Sequence, residues 1–134
     1  QVAQREELFK RMVFDILMDN TDDHERNHSL RLGLDGYYEL TPAYDVVPTL
    51  LNLDRQAMLV GKAGAESSLE NALTELSEFG IRRARAIELI RQVVRVVDGW
   101  PEHFRQHGVV RSDMELLHAS IDREALLSQR KAFR

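Results

Sequence analysis

Between Asn20 and Asp45 the chain reads NTDDHERNHSLRLGLDGYYELTPAYD, which gathers Asp22, Asp23, His24, Glu25, Asn27, His28 and Asp45 into one short stretch. Oxygen and imidazole groups at that density, beside an apolar helix, are costly unless they hold a metal, a phosphate or a reacting proton. Two chemistries compete for them. His24-Glu25-Arg26-Asn27-His28 matches H-E-x-x-H, in which two histidines on one helical face share a zinc ion and the glutamate activates the bound water. That reading needs a continuous helix. Here the five residues stand between a helix-ending polar cluster and a run of strand-like alternation. The other histidines, His103, His107 and His118, lie far down the chain, and Glu39 or Asp45 would be a third ligand at an unpersuasive offset. The zinc match is read as accidental.

The second chemistry uses Asp22 and Asn27 instead. An aspartate followed five residues later by an asparagine is the spacing of the catalytic loop in protein-kinase-like enzymes. The aspartate accepts the proton of an attacking hydroxyl. The asparagine amide oxygen, on the same loop, ligates magnesium, and a second aspartate beyond a hairpin chelates the ion that bridges the nucleotide phosphates. Asp45 and Asn27 supply the hard oxygen ligands magnesium prefers.

The elements that must position these groups are legible around them. Leu8, Phe9, Met12, Val13, Ile16 and Leu17 recur at three- and four-residue steps, which predicts an amphipathic helix over Glu6–Asp19, widened by Phe14 and Met18. Asn20-Thr21-Asp22-Asp23 ends it, because such side chains bond their own backbone outside helices. His28, Leu30, Leu32 and Leu34 then alternate, Asp35-Gly36 signals a turn, and Tyr37, Tyr38 and Leu40 suit a return strand. Pro42 and Pro48 confine Asp45 to a short constrained loop. Gln56–Val60 suits a short strand and Gly61-Lys62-Ala63-Gly64 a flexible loop. Gly61-Lys62 is not a phosphate-binding loop, because the upstream glycine is absent.

From Ser67 onward the pattern is helical. Ser67 and Glu70 form a capping box, followed by Leu69, Ala72, Leu73, Leu76 and Phe79 up to Gly80. A helix from Arg82 turns Ile87, Ile90, Val93, Val94 and Val97 inward and runs past Pro101 with a kink, through Trp100 and Phe104, to Gly108. Ser112 and Glu115 suggest a further capping box ahead of Leu116, Leu117, Ile121, Leu126 and Leu127. The fold expected is mainly α with a small β-hairpin, one domain over residues 1–134.

Composition bounds the rest. A formal charge of -4 argues against nucleic-acid binding by bulk electrostatics. Arg82, Arg83, Arg85, Arg91 and Arg95 read as a solvated helix face. No apolar run approaches a membrane span, no signal peptide is visible, and the cysteine count is 0, which removes thiolate metal sites and disulfides. A soluble, cytoplasmic protein is expected.

The run Phe14 to Asn27, with Asp22, His24 and Asn27 as D-x-H-x-x-N, and the later Leu40-Thr41-Pro42-Ala43-Tyr44-Asp45 resemble the C-terminal part of the HipA-like kinase family. Its members carry N-T-D-x-H-x-x-N and then a P-x-Y-D element. The resemblance covers essentially the whole chain and is strongest from residue 14 to 48. It implies the C-terminal lobe of a protein-kinase-like fold and an ATP- and Mg²⁺-dependent serine/threonine kinase. It further implies the toxin of a bacterial toxin–antitoxin pair, partnered by a helix-turn-helix antitoxin of the HipB type and reaching DNA only through it. By position Asp22 would be the catalytic base, with His24 supporting it or contacting phosphate. Asn27 and Asp45 would be magnesium ligands, and Arg26, where relatives often have lysine, would neutralise phosphate charge. The glycine-rich loop, nucleotide-anchoring lysine and regulatory serine segment of such kinases are not in this sequence. The chain is therefore expected to be a fragment that starts after the N-terminal lobe and is inactive alone. A non-catalytic docking lobe for an antitoxin is the alternative.

Overall fold

The computed structural model describes residues 1–134 as seven α-helices, two 3-10 turns and one two-stranded hairpin, the mainly helical architecture expected. Helix α1 spans Val2–Leu17 and α4 spans Arg83–Asp98; their packing forms the principal helix–helix contact. The three- and four-residue spacing does this work. Phe9, Val13, Ile16 and Leu17 of α1 are buried, as are Ala86, Leu89, Ile90, Val93, Val94 and Val97 of α4. Each such large side chain contributes about 1.5–3 kcal/mol through burial. Ile87 is only half-buried, because it stands at the edge of the stripe whose centre Leu89 and Ile90 occupy.

The hairpin pairs β1 (Leu30–Leu32) with β2 (Tyr38–Leu40), antiparallel, with Leu30 opposite Leu40, Arg31 opposite Glu39 and Leu32 opposite Tyr38. Gly36, at φ 83°, turns the chain as Asp35-Gly36 predicts. Two side chains of α1 fasten the hairpin. The Gln4 Oε1 accepts from the Leu40 amide at 2.7 Å, and the Arg11 guanidinium donates to the Thr41 carbonyl at 2.7 Å.

Between residues 49 and 67 the expected strand does not form; only isolated bridges join Arg55 to Glu66 and Gly61 to Gly64. The reason lies in the amides. Gln56 donates to Ala65, Ala57 to Thr21 and Val60 to Gly64, so no single neighbour supplies a ladder. Nor is the Gly61–Gly64 loop loose. Buried Asn71 donates to the Gly64 and Glu66 carbonyls and accepts from the Ala63 amide, while the Thr74 hydroxyl accepts from the Lys62 amide. A Cβ on Gly61 would stand 2.1 Å from the Asn71 carbonyl oxygen, so only glycine fits there.

The expected helix to Phe79 is broken into α2 (Leu69–Ala72), a 3-10 turn at Leu73–Glu75, and α3 (Leu76–Phe79), ending at left-handed Gly80. Its cap is Ser68, whose side chain accepts from the Asn71 amide, rather than Ser67, whose hydroxyl accepts from Gln56. Pro101 does not kink a continuing helix. The chain breaks at Gly99 and Pro101 sits in the first turn of α5 (Trp100–Gln106), where its missing N–H costs nothing. Likewise Ser112 lies inside α6 (Arg111–Ile121), whose N-cap residue is Val110. Helix α7 spans Glu124–Ala132.

A buried arginine ties this end together. Arg130, 3% exposed, reaches Asp98 at 2.9 Å and Asp122 at 2.6 Å and donates to the Ile121 carbonyl. The hydrogen bonds from Arg134 and Arg130 hold the Asp98 carboxyl below its usual value. Burial pushes Asp122 the other way, but its bonds from Arg130, Trp100 and His118 prevail and lower it. No helix is long and apolar enough to cross a membrane.

Candidate functional site

The loop that carries Asp22 begins with a backbone reversal. Asp19 adopts φ 58°, a left-handed conformation aspartate tolerates better than most side chains, and the Asn20 amide turns back to the Asp15 carbonyl at 2.9 Å. The Asn20 side chain donates to the Asp15 carboxyl at 3.0 Å. From there the loop is stitched to the segment after Asp45. The Thr49 amide donates to the Asp19 carbonyl at 2.8 Å, the Thr49 hydroxyl accepts from the Thr21 amide at 2.9 Å, and the Ala57 amide donates to the Thr21 carbonyl at 3.1 Å. Asp45 itself stands at φ 56°.

These links bring Asp22 and Asp45, both exposed, onto the wall of one cavity of about 160 Å³, with Asn20, Val47, Pro48 and Thr49. Buried Asn27, at the end of the Glu25–Asn27 turn, donates its amide nitrogen to the Asp22 carbonyl at 3.2 Å. Its side chain lines a different, larger cavity with Tyr44 and Val46. His24 is half-buried and its Nδ1 has no hydrogen-bond partner. The Arg26 side chain is exposed; its carbonyl accepts from the Tyr44 hydroxyl at 2.7 Å, which also bonds Ser29. Tyr44 thus ties the turn holding Asn27 to the residue beside Asp45.

The H-E-x-x-H spacing has no helix beneath it. His24 and His28 are both extended, flanking a single 3-10 turn, and the His28 Nε2 is engaged by Asp23 at 2.7 Å. No group of three or more His, Asp or Glu side chains is placed to share a metal ion. Magnesium asks for a different donor set. One carboxylate, that of Asp45, and one amide oxygen, that of Asn27, are donors of the kind a hard six-coordinate cation takes together with phosphate and water.

Sequence reasoning missed a buried network behind this loop. Asp15 is 5% exposed and Asp23 9%. Burial, then the charge of Asp23, push the Asp15 carboxyl up to about 8, with the hydrogen bond from Asn20 working against them. The Asp23 carboxylate that raises Asp15 is itself engaged by the His28 ring. The signal was present. Asp15 interrupts Met12-Val13-Phe14-Asp15-Ile16-Leu17-Met18, and a carboxylate inside an apolar run needs a partner or a proton. Of the adjacent pair Asp22 and Asp23, Asp23 is the buried one.

A family model described as the HipA-like C-terminal domain matches residues 1–100. No curated protein matches the chain. The match covers the helix, loop, hairpin and Asp45 segment in full, and the chain belongs to the HipA-like C-terminal domain family.

Proposed function

We propose that this domain is the catalytic-loop lobe of an ATP- and Mg²⁺-dependent serine/threonine kinase of the HipA toxin type. The observation that carries the reading is the shared cavity wall of Asp22 and Asp45, with Asn27 bonded to the Asp22 backbone. In the reaction the acceptor hydroxyl oxygen attacks the γ-phosphorus of ATP, the bond to the bridging oxygen breaks, and ADP leaves. Asp22 takes the hydroxyl proton, which its exposure to the cavity allows. Asp45 and the Asn27 amide oxygen would hold Mg²⁺, which supplies neutralisation of the phosphate charge. His24, half-buried in the same loop, supports Asp22 or donates to phosphate, and exposed Arg26 adds positive charge.

These residues contain no glycine-rich loop to position the nucleotide. Since positioning supplies much of the rate in phosphoryl transfer, the domain alone is expected to be inactive and to require a second lobe. The partners proposed are a protein bearing a serine or threonine acceptor and a helix-turn-helix antitoxin of the HipB type, in the cytoplasm.

The test is phosphoryl transfer from radiolabelled ATP with Mg²⁺ in the full-length parent protein. Asp22→Ala and Asp45→Ala are each expected to lower transfer about 10²–10⁴-fold without loss of fold. Transfer that survives both substitutions would overturn the reading. Absence of transfer in the unaltered protein would favour a docking lobe.

A further inference from the structure

The candidate site is braced from a part of the chain that the family match does not reach. Arg123, between α6 and α7, turns its guanidinium inward, with the side chain 14% exposed. One side of it faces Asp19, where Nη1 stands 3.1 Å from the carboxyl, itself 1% exposed. The other side faces the segment downstream of Asp45, where Nη1 donates to the Asn52 side chain at 3.2 Å and Nη2 to Asp54 at 2.6 Å. The same guanidinium donates to the Ser120 carbonyl, and the Ser120 hydroxyl donates to the second Asp19 oxygen.

Both walls need such a brace. Asp19 is a left-handed, buried carboxylate three residues before Asp22, and the opposite wall holds Leu50, Asn52 and Asp54 at φ 63°, 52° and 55°. Backbone in that region is held by its surroundings rather than by its own preference. Neither wall carries regular secondary structure that would set its distance from the other. A planar guanidinium can pair with the Asp19 carboxylate while it donates to Asn52 and Asp54 on the opposite wall; a lysine ammonium, a single point charge, cannot match that fork.

We propose that Arg123 is a positioning residue. Its guanidinium, held by Asp19 on one wall and by Asn52 and Asp54 on the other, fixes the placement of Asp22 relative to Asp45. The catalytic consequence rests on the kinase reading, whereas the mechanical one does not. The helices α6 and α7 are then part of the site's frame, and Ser120 completes the seat of Asp19.

Two measurements test this separately. In the chain itself, residue-resolved amide exchange is compared between the native protein, Arg123→Lys and Arg123→Ala. The Thr21, Thr49 and Ala57 amides, which stitch the walls together, should exchange about tenfold faster or more in both variants, while Val13 and Ile90 in the core keep their rates. Unchanged exchange at the three amides, or a uniform rise that includes the core, overturns the proposal. Should Arg123→Ala fail to fold, Asp54→Asn removes one leg at an exposed partner and is expected to speed the same three amides. In the full-length parent, Arg123→Lys should lower kcat about tenfold with KM for ATP changed less than about twofold, since misplacement of reacting groups acts on the chemical step. An active parent whose kcat is unaltered by Arg123→Lys overturns the proposal. A parent that transfers no phosphate overturns the kinase reading instead, and the exchange rates alone then decide the role of Arg123.

Discussion

Along α1 and α4, Phe9, Val13, Ile16 and Leu17 pack with Leu89, Ile90, Val93 and Val94 in a layer almost without exposure. In residues 41–67 the balance is inverted. Tyr44, Val46, Val47, Leu50, Leu51, Leu53 and Leu59 face solvent, Val60 is the buried apolar residue, and polar side chains hold the backbone in place. Asn71 serves the Gly61–Glu66 loop, Thr49 the Asp22 loop and Arg11 the Thr41 carbonyl. Left-handed Asp45, Leu50, Asn52 and Asp54 all fall within this region. A helical layer spreads its stability over many interchangeable contacts, whereas an irregular segment concentrates it on a few directional ones. The candidate-site carboxylates Asp22 and Asp45 sit in the second kind of structure, where a position can be specified without a regular element to carry it.

Substitutions can break that comparison. Phe9→Ala, at 0% exposure, should cost about 3–5 kcal/mol in urea denaturation, as expected for an emptied core site. Asn71→Ala strips three hydrogen bonds from the 61–66 loop and should cost about 2–3 kcal/mol, close to the loss of a core aromatic despite its polar character. A loss under about 0.5 kcal/mol, the range of surface changes, would show that the irregular region is not held by single polar groups.

Asp15 joins the two regions, and pH separates them. Its folded value near 8 lies above the ordinary 3.8, so the folded state keeps a proton that the unfolded state releases. The stability this confers is complete below about pH 4 and is lost as pH rises towards 8, at up to about 1.4 kcal/mol per pH unit. Asp15→Asn keeps an oxygen for Asn20 and gains a permanent donor towards Asp23. Its denaturation midpoint should be flatter across that window and should exceed the native one at pH 8. A native profile as flat as the variant's would show that Asp15 does not hold its proton on folding.

The smallest effects sharpen the comparison at helix ends. Ser68→Ala removes a working cap and should cost about 1 kcal/mol, whereas Ser112→Ala, inside α6, should change stability by less than about 0.5 kcal/mol. Equal losses at both positions would restore the capping role of Ser112.

What could be read from the chain follows the same division. The α1 stripe, the α4 stripe and the Asp35-Gly36 turn were legible because each rests on a local period or a local backbone preference. Asp22, Asn27 and Asp45 were legible by spacing around the hairpin, and the structure brings Asp22 and Asp45 together while placing Asn27 against the Asp22 backbone. The 56–60 strand failed because its amides find partners scattered from Thr21 to Ala65. Ser67 failed as a cap because the helix starts one residue later, where adjacent Ser68 takes the Asn71 amide, and Ser112 failed because its helix starts before it, at Arg111.

The sequence by itself determined that this is a mainly helical domain with a hairpin, since these depend on residues a few positions apart, whereas Asp22 and Asp45 meet only through tertiary links. Tertiary structure alone decided that burial beside Asp23 raises the Asp15 carboxyl and that Asn71 holds the glycine loop. It likewise decided that Arg123 stands between the walls of the cleft. Those outcomes depend on burial and on partners distant in the chain. The energy of a charged or polar group is set by the dielectric and the neighbours that folding supplies, which no local pattern contains.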